Sequence, residues 1–325
     1  MKAIQITRFG DALVLQLADV GPVPKPAENQ VLVRIHAAGV NFVDIYNRRG
    51  QPSRTLPFIP GQEASGVVEE AGPGVSEFLP GDRVCYTGHT GSYSEYTVID
   101  AQKLIPLDPD FSFIQGAAFP LQGMTAHYLI HDYYEPEPGD TVLVHAAAGG
   151  VGLQLIQWAK HLGADVIGTV SSPEKARIAS EAGADHVILY NSEDFAAETK
   201  RLTQNEGARI ILDGVGRSTF NGDLEAVAVR GHIVIFGSSS GTPDPFVPNS
   251  LMPKSIRLAG GMLANSITTR DELLRRAYDV MDSVKIGWLK LHIGQVFPLA
   301  QASKAHELLE SRRSTGKLIL SVVPE

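Results

Sequence analysis

The chain has 325 residues, a formal net charge of −8, 43% hydrophobic and 20% charged residues. Its length accommodates two domains, its composition is that of a soluble globular protein, and its acidic balance without a basic tract sets nucleic acid aside as a main partner. A single cysteine, Cys85, excludes an internal disulfide and a cysteine-rich zinc cluster. No apolar run reaches the roughly 18 residues of a membrane span, and Met1-Lys2-Ala3-Ile4 leads into a strand without an apolar leader, so a cytoplasmic protein is expected.

The first third carries β signals. Residues 2–8 and 14–19 read as a hairpin and residues 30–38 alternate as a strand, with Pro22, Pro24 and Pro26 enforcing an extended connector. Asn41 is placed to cap a short helix through about Arg48. Strands are expected over residues 63–70, 83–86 and 92–99, separated by turns at Gly72-Pro73-Gly74 and Pro80-Gly81-Asp82. Residues 113–133 read as mostly helical. From Thr141 the chain alternates strand and helix: strands at 142–144, 165–170, 186–189, 209–212, 232–236 and 255–258, and helices at 173–182, 195–202 and 218–229. This is the alternation of a doubly wound parallel sheet, whose ligands gather at the carboxyl ends of the strands. A well-capped helix at 268–283, a segment at 295–298, a helix at 300–311 and a strand at 317–322 close the chain. The last strand has no partner left in the parallel sheet and is expected to return to the β domain, making that domain discontinuous.

The stretch Thr141-Val-Leu-Val-His-Ala-Ala-Ala-Gly-Gly-Val-Gly152 is a strand, a glycine-rich turn and the start of a helix. Ala147-x-Gly149-x-x-Gly152 departs from GxGxxG only at its first glycine. Gly149 and Gly150 leave the backbone open to a diphosphate, Gly152 permits close helix–strand packing, and the helix N-terminus offers free N–H groups. An ordinary tight turn is the plain alternative, and the strand and helix flanks favour cofactor binding over it. The second strand ends in Ser171 with no carboxylate, and Lys175 and Arg177 follow. Hydroxyls and cations suit a 2′-phosphate, so NADPH is favoured over NADH. Arg177 fits equally well as an exposed helix residue, and Lys175 lies in the first turn, near the expected phosphate. Tyr190 either flanks the adenosine or packs.

Five motifs occur in one order: Asn41-Phe-Val-Asp-Ile-Tyr-Asn-Arg-Arg-Gly50, Pro60-Gly-Gln-Glu-Ala-Ser-Gly66, Pro80-Gly-Asp-Arg-Val84, His145-Ala-Ala-Ala-Gly-Gly-Val-Gly152 and Gly316-Lys317. Together they resemble the zinc-free NADPH:quinone oxidoreductases, the ζ-crystallin-like branch of the medium-chain dehydrogenase/reductase superfamily, over essentially the whole chain. The resemblance implies an α/β fold with a discontinuous GroES-like β domain (1–122 and 265–325) and a Rossmann domain with a doubly wound parallel sheet (123–264), the active site lying in a cleft. It implies homodimers joined through the sixth parallel strand, near Ser255–Leu258. It implies nucleotide contacts at Asn41, Thr125, Gly149, Gly150, Val151, Ser171, Lys175, Tyr190, Phe236, Ser238, Met262 and Arg312, and a quinone side at Asn41, Tyr46 and Gln62. Zinc dehydrogenases of the superfamily place a histidine ligand where Gln62 stands, so no metal is expected.

A quinone accepts reducing equivalents without a Lewis acid, so the protein has to orient the reactants and stabilise charge on the quinone oxygen. Asn41 and Tyr46 are the expected donors. Asn41 is equally suited to a plain helix cap, Tyr46 to the core, Asp44 to a first-turn helix acid, and Gln62 to the pocket wall. The expected activity is NADPH-dependent quinone reduction. The alternatives are NADPH-dependent reduction of enone double bonds, and an NADPH-regulated nucleic-acid-binding role that the acidic charge disfavours.

Overall fold

In the computed structural model, which describes residues 1–323, six strands form one all-parallel sheet and seven form a mixed sheet in which the central strand pairs with three others. Positions 324 and 325 of the expected 265–325 segment lie outside the described residues. The chain divides into two compact units, one of residues 1–121, 267–281 and 291–323, the other of 122–266 and 282–290.

The first unit opens with β1 (Lys2–Gln5) and β2 (Gln16–Asp19), an antiparallel pair in which Lys2 faces Asp19. The expected first strand is shortened because only Lys2–Gln5 finds ladder partners. Next come β3 (Gln30–Val40), α1 (Phe42–Arg48), β4 (Glu63–Ala71), β5 (Arg83–Thr87), β6 (Tyr96–Asp100), β7 (Ile105–Pro106) and α2 (Phe113–Gly116). The long strand β3 is the hub of this unit. It pairs with β4, with β6 and, from the far end of the sequence, with the last strand. Its Val31, Val33 and Ile35 are fully buried with Val68, Val84, Ile99, Leu318 and Leu320.

Helix α3 (Pro120–His131) starts afresh after α2 rather than continuing it, because Pro120 has no N–H to extend a helix and suits its first position. The second unit then runs β8 (Thr141–Val144), α4 (Gly150–His161), β9 (Asp165–Val170), α5 (Pro173–Glu181), β10 (His186–Leu189), α6 (Phe195–Leu202), β11 (Ala208–Asp213), α7 (Phe220–Ala226), β12 (Val227–Ile235) and β13 (Arg257–Gly260). Strand order is β10-β9-β8-β11-β12-β13, all parallel. Leu143, Ile167, Ile188, Ile211 and Ile233 fill its core, as expected for strands covered on both faces. Several boundaries differ from the sequence reading by one to five residues, and two of the shifts have a clear cause. The helix expected to reach residue 229 stops at Ala226, because the β-branched Val227-Ala-Val229 run joins the sheet, where Ala208 pairs with Val227 before a register shift. The sixth strand begins at Arg257, not Ser255, because Ser255 adopts a left-handed conformation that closes the preceding turn.

Helix α8 (Arg270–Ile286) follows, and Glu272 accepts the N–H groups of Thr268 and Thr269 at its start. The chain closes in the first unit with β14 (Ile293–Pro298), α9 (Ala302–Glu310) and β15 (Lys317–Ser321), a parallel pair joined by a helix. The return of β15 to β3 is as expected from the sequence.

Between β8 and α4 the turn is tight. Ala146 takes a left-handed φ of 49°, and Gly149 N–H donates to the Ala146 carbonyl at 2.8 Å. A Cβ on Gly152 would sit 2.5 Å from the Ala146 oxygen and 2.9 Å from Ala147 Cα, both fixed backbone. A Cβ on Gly150 would meet only the Gln122 side-chain amide, the end of a flexible side chain rather than fixed backbone. Gly152→Ala is therefore expected to cost about 1–3 kcal/mol in denaturant unfolding, and Gly150→Ala clearly less. Equal losses would contradict this assignment.

Candidate functional site

In the second unit the expected nucleotide residues collect at the carboxyl ends of the parallel strands. The order reverses between β8 and β11, the switch point at which such sheets bind ligands. Gly149 is the extended N-cap of α4, and the N–H groups of Gly150, Val151 and Gly152 open that helix without intrahelical partners. Thr125 is buried on α3. Ser171 follows β9, its carbonyl held by Asn191 Nδ2 at 2.8 Å. Tyr190 follows β10 and is largely open to solvent, while Phe236 and Ser238 follow β12 and Met262 follows β13, exposed.

Ser172 caps α5 by accepting the Lys175 N–H. Lys175 is half-buried, and this burial pulls its ammonium below the usual lysine range. Arg177 is exposed and paired with Glu181 one turn on, at 2.5 Å, so the two cations that the sequence offered have different surroundings. No carboxylate occupies positions 170–173. These residues suit a phosphorylated dinucleotide, with free N–H groups for the diphosphate and a hydroxyl and an ammonium where a 2′-phosphate would lie.

Beneath this edge lies a buried network. The His145 imidazole bonds Thr169 Oγ1 through Nδ1 at 2.8 Å and Asp223 Oδ1 through Nε2 at 2.7 Å. Asp213 receives the N–H groups of Val215 and Gly216 and the Thr219 hydroxyl. Burial raises the Asp223 carboxyl to about 6, against the pull of His145. For His145, burial is outweighed by Asp223 and Asp213, which raise its affinity for a proton. One imidazole thus ties the end of β8 to β9 and α7, the structural role that its place at a strand end suggests.

In the first unit Asn41 belongs to a second network, and Gln62 directly precedes one of its members. Glu63 and Lys317, both buried, form an ion pair. Lys317 Nζ also donates to Asn41 Oδ1 at 2.7 Å, Asn41 Nδ2 donates to Glu63 Oε2 at 2.9 Å, and Leu121 N–H donates to Glu63 Oε1 at 2.6 Å. Gly39 makes room for this cluster, since a Cβ there would run into the Glu63 carboxylate and lie 2.8 Å from Lys317 Cε. Asn41 therefore spends its amide on buried partners, while its main-chain N–H donates to Asp44 Oδ2 at 2.9 Å. Tyr46, on α1, and Gln62, just before β4, are half-buried, and neither side chain makes a hydrogen bond among the described residues. Arg312 lies exposed in the turn after α9 with a left-handed φ of 56°.

Sequence reasoning assigned no role to Lys317 or Glu63. The Gly316-Lys317 motif was the available signal, but its partner lies 254 positions away. Among the described residues, no group of three or more His, Cys, Asp or Glu side chains is arranged to hold a metal ion. Lys317→Met would leave Glu63 charged, buried and unpaired, at an expected cost of about 3–5 kcal/mol. Glu63→Gln in that background should recover part of the loss in denaturant unfolding, and purely additive losses would show that the two do not act as a pair.

Comparisons with known proteins agree with this architecture. Residues 27–109 match the alcohol dehydrogenase GroES-like domain model and residues 150–278 the zinc-binding dehydrogenase model. The chain is 41% identical to a quinone oxidoreductase of Pseudomonas aeruginosa over 98% of its own length and 99% of the relative's. It is 38% identical to a 2-haloacrylate reductase of a Burkholderia species over 92% of each. The structure of Escherichia coli quinone oxidoreductase complexed with NADPH superposes with a TM-score of 0.95 at 40% identity, covering 99% of this chain and 100% of that one. With both domain models in their expected order and this identity along nearly the whole sequence, the chain belongs to the quinone oxidoreductase family of the medium-chain dehydrogenase/reductase superfamily.

Proposed function

We propose that this protein is an NADPH-dependent quinone reductase that works without a metal. The observation that carries the reading is the nucleotide edge of the parallel sheet: an open helix N-terminus at Gly149–Gly152, a strand end free of carboxylate, and a half-buried Lys175 beside it. NADPH, when bound, supplies the reducing equivalents. With one further proton from the medium, the quinone leaves as hydroquinone and the nucleotide as NADP⁺.

The chain's own part is to bind, orient and stabilise. The N–H groups of Gly150 and Val151 hold the diphosphate, Ser171 and Lys175 the 2′-phosphate, and Tyr190 flanks the adenosine. Thr125, Phe236, Ser238, Met262 and Arg312 complete the nucleotide contacts. Tyr46 and Gln62, with uncommitted polar tips, donate to the quinone oxygen as negative charge grows on it. Asn41, committed to Glu63 and Lys317, holds that side in place. A quinone already accepts electrons readily, and the buried Glu63–Lys317 pair beside Gln62 fills that region with a matched charge rather than an open ligand set.

In this reading residues 1–122 and 265–325 form the substrate domain and 123–264 the nucleotide domain. The chain acts in the cytoplasm as a homodimer through β13, an edge strand of the parallel sheet. No helix among the described residues is long and apolar enough to cross a membrane. The relative named 2-haloacrylate reductase supports a second reading, reduction of an activated double bond with the same cofactor.

NADPH oxidation should proceed with benzoquinone- or naphthoquinone-type acceptors in the presence of a chelator, and faster than with α,β-unsaturated ketones. Loss of activity on chelation would end the metal-free reading, and the reverse substrate order would favour the second. Lys175→Ala should weaken NADPH by about tenfold or more, the scale of one charged hydrogen bond, and leave NADH nearly unchanged in fluorescence titration. Equal loss for both would remove the 2′-phosphate assignment.

A further inference from the structure

A line of buried side chains runs beneath α1. Arg48 Nη1 meets His306 Nδ1 at 3.3 Å, His306 Nε2 meets the Tyr93 hydroxyl at 3.1 Å, and that hydroxyl meets Asp44 Oδ2 at 3.1 Å. All four residues are fully buried, and at the outer end of the line Arg48 Nη2 pairs with Glu310 at 2.6 Å and Nε donates to the Gly10 carbonyl at 3.2 Å.

The direction of every bond follows from the guanidinium, which can only donate. His306 Nδ1 must accept, so its proton sits on Nε2 and is donated to the Tyr93 oxygen. The Tyr93 hydroxyl proton is then free for Asp44. Burial and the neighbouring Arg48 charge keep His306 neutral, pulling it down to about 3. A row of donors thus ends on one oxygen of Asp44, which also accepts the Asn41 main-chain N–H at 2.9 Å. The other oxygen, Oδ1, is buried and has no hydrogen-bond partner among the described residues.

A carboxylate in this position would keep half its charge unsolvated. The charged groups that face it are Lys317, on β15, and Glu63, on β4. Lys317 Nζ is already engaged by Glu63 and Asn41, and Glu63 is a like charge. Burial accordingly raises the Asp44 carboxyl to about 7, despite Lys317 and the bonds from Asn41 and Tyr93. Asp44 lies three residues after Asn41 and two before Tyr46, on the helix that carries the proposed quinone donor.

We propose that Asp44 is a positioning residue of the substrate side: uncharged, it leaves the Asn41–Tyr46 segment seated, and its ionisation, which buries an uncompensated charge at Oδ1, unseats it. This rests on the reading of Tyr46 as a quinone donor. The sign is that of a buried acid: neutral and seated at low pH, charged and unseated as the pH rises.

The test measures KM for a naphthoquinone from pH 6 to 9 at saturating NADPH. In parallel it records the infrared carbonyl band of a protonated buried carboxyl in the same protein. Wild type should hold KM constant below about pH 7 and raise it by up to tenfold per pH unit above, as the neutral fraction falls, with the band fading over the same range. Asp44→Asn should abolish both the break and the band. Tyr93→Phe, which removes a donor to the ionised form, should move both to higher pH, and it decides the matter should the Asp44 variant not fold. A KM without a break between pH 6 and 9, a break retained in Asp44→Asn, or a break that Tyr93→Phe leaves in place overturns the proposal while leaving quinone reduction intact. Absence of quinone turnover at every pH would instead sink the functional reading, and this proposal with it.

Discussion

The buried ion pair between Glu63 and Lys317 is the constraint on which the first unit depends. Lys317 opens β15, Glu63 opens β4, and β3 runs between those strands with Gly39 at the point of crowding. Two charges removed from water are tolerable only when each satisfies the other and the remaining lone pairs are filled. Here Asn41 and the Leu121 N–H fill them. The pair therefore cannot form within the first 121 residues alone, because the cation that neutralises Glu63 arrives with the end of the chain. The same bonds fix the amide of Asn41, and with it the start of α1.

The second unit solves a different problem. Its strands bury apolar faces on both sides and need no buried charge for register, so polar chemistry is confined to the strand ends. There the backbone is strained where it is used. Ala146 holds a left-handed conformation that costs a non-glycine residue roughly 1–2 kcal/mol, and His145 beside it is braced by Thr169 and Asp223. Strain of this kind persists only where surrounding bonds over-determine it. The outcome is a helix N-terminus with open N–H groups at the sheet's switch point.

Burial separates acids that look alike in the sequence. Glu63 is matched by a lysine, Asp213 by three donors, and Asp223 by a histidine, whereas Asp44 has donors but no cation of its own. Desolvation lifts the Asp44 and Asp223 carboxyls towards neutrality. A first-turn acid on an exposed helix would behave in the opposite way, stabilised as a carboxylate by the helix dipole. That is how Asp44 reads before its burial is known.

What the sequence determined by itself is whatever depends on local pattern. The alternation of apolar strands and amphipathic helices from Thr141 onwards, the glycine corner, the absence of an acid after Val170 and the lack of thiol ligands all lie within short windows. The family resemblance draws on the same windows. What only the tertiary structure decided are the pairings made across the chain: Lys317 with Glu63 and Asn41, and Asp44 with Tyr93 and His306. Local pattern also misplaced boundaries, among them those where a β-branched run after Ala226 joined the sheet and where a left-handed Ser255 delayed the last parallel strand. The physical reason is common to both cases. Periodicity reports which face of a segment avoids water, but the charge state of a buried side chain, and the residue at which a strand begins, are set by partners that sequence distance conceals.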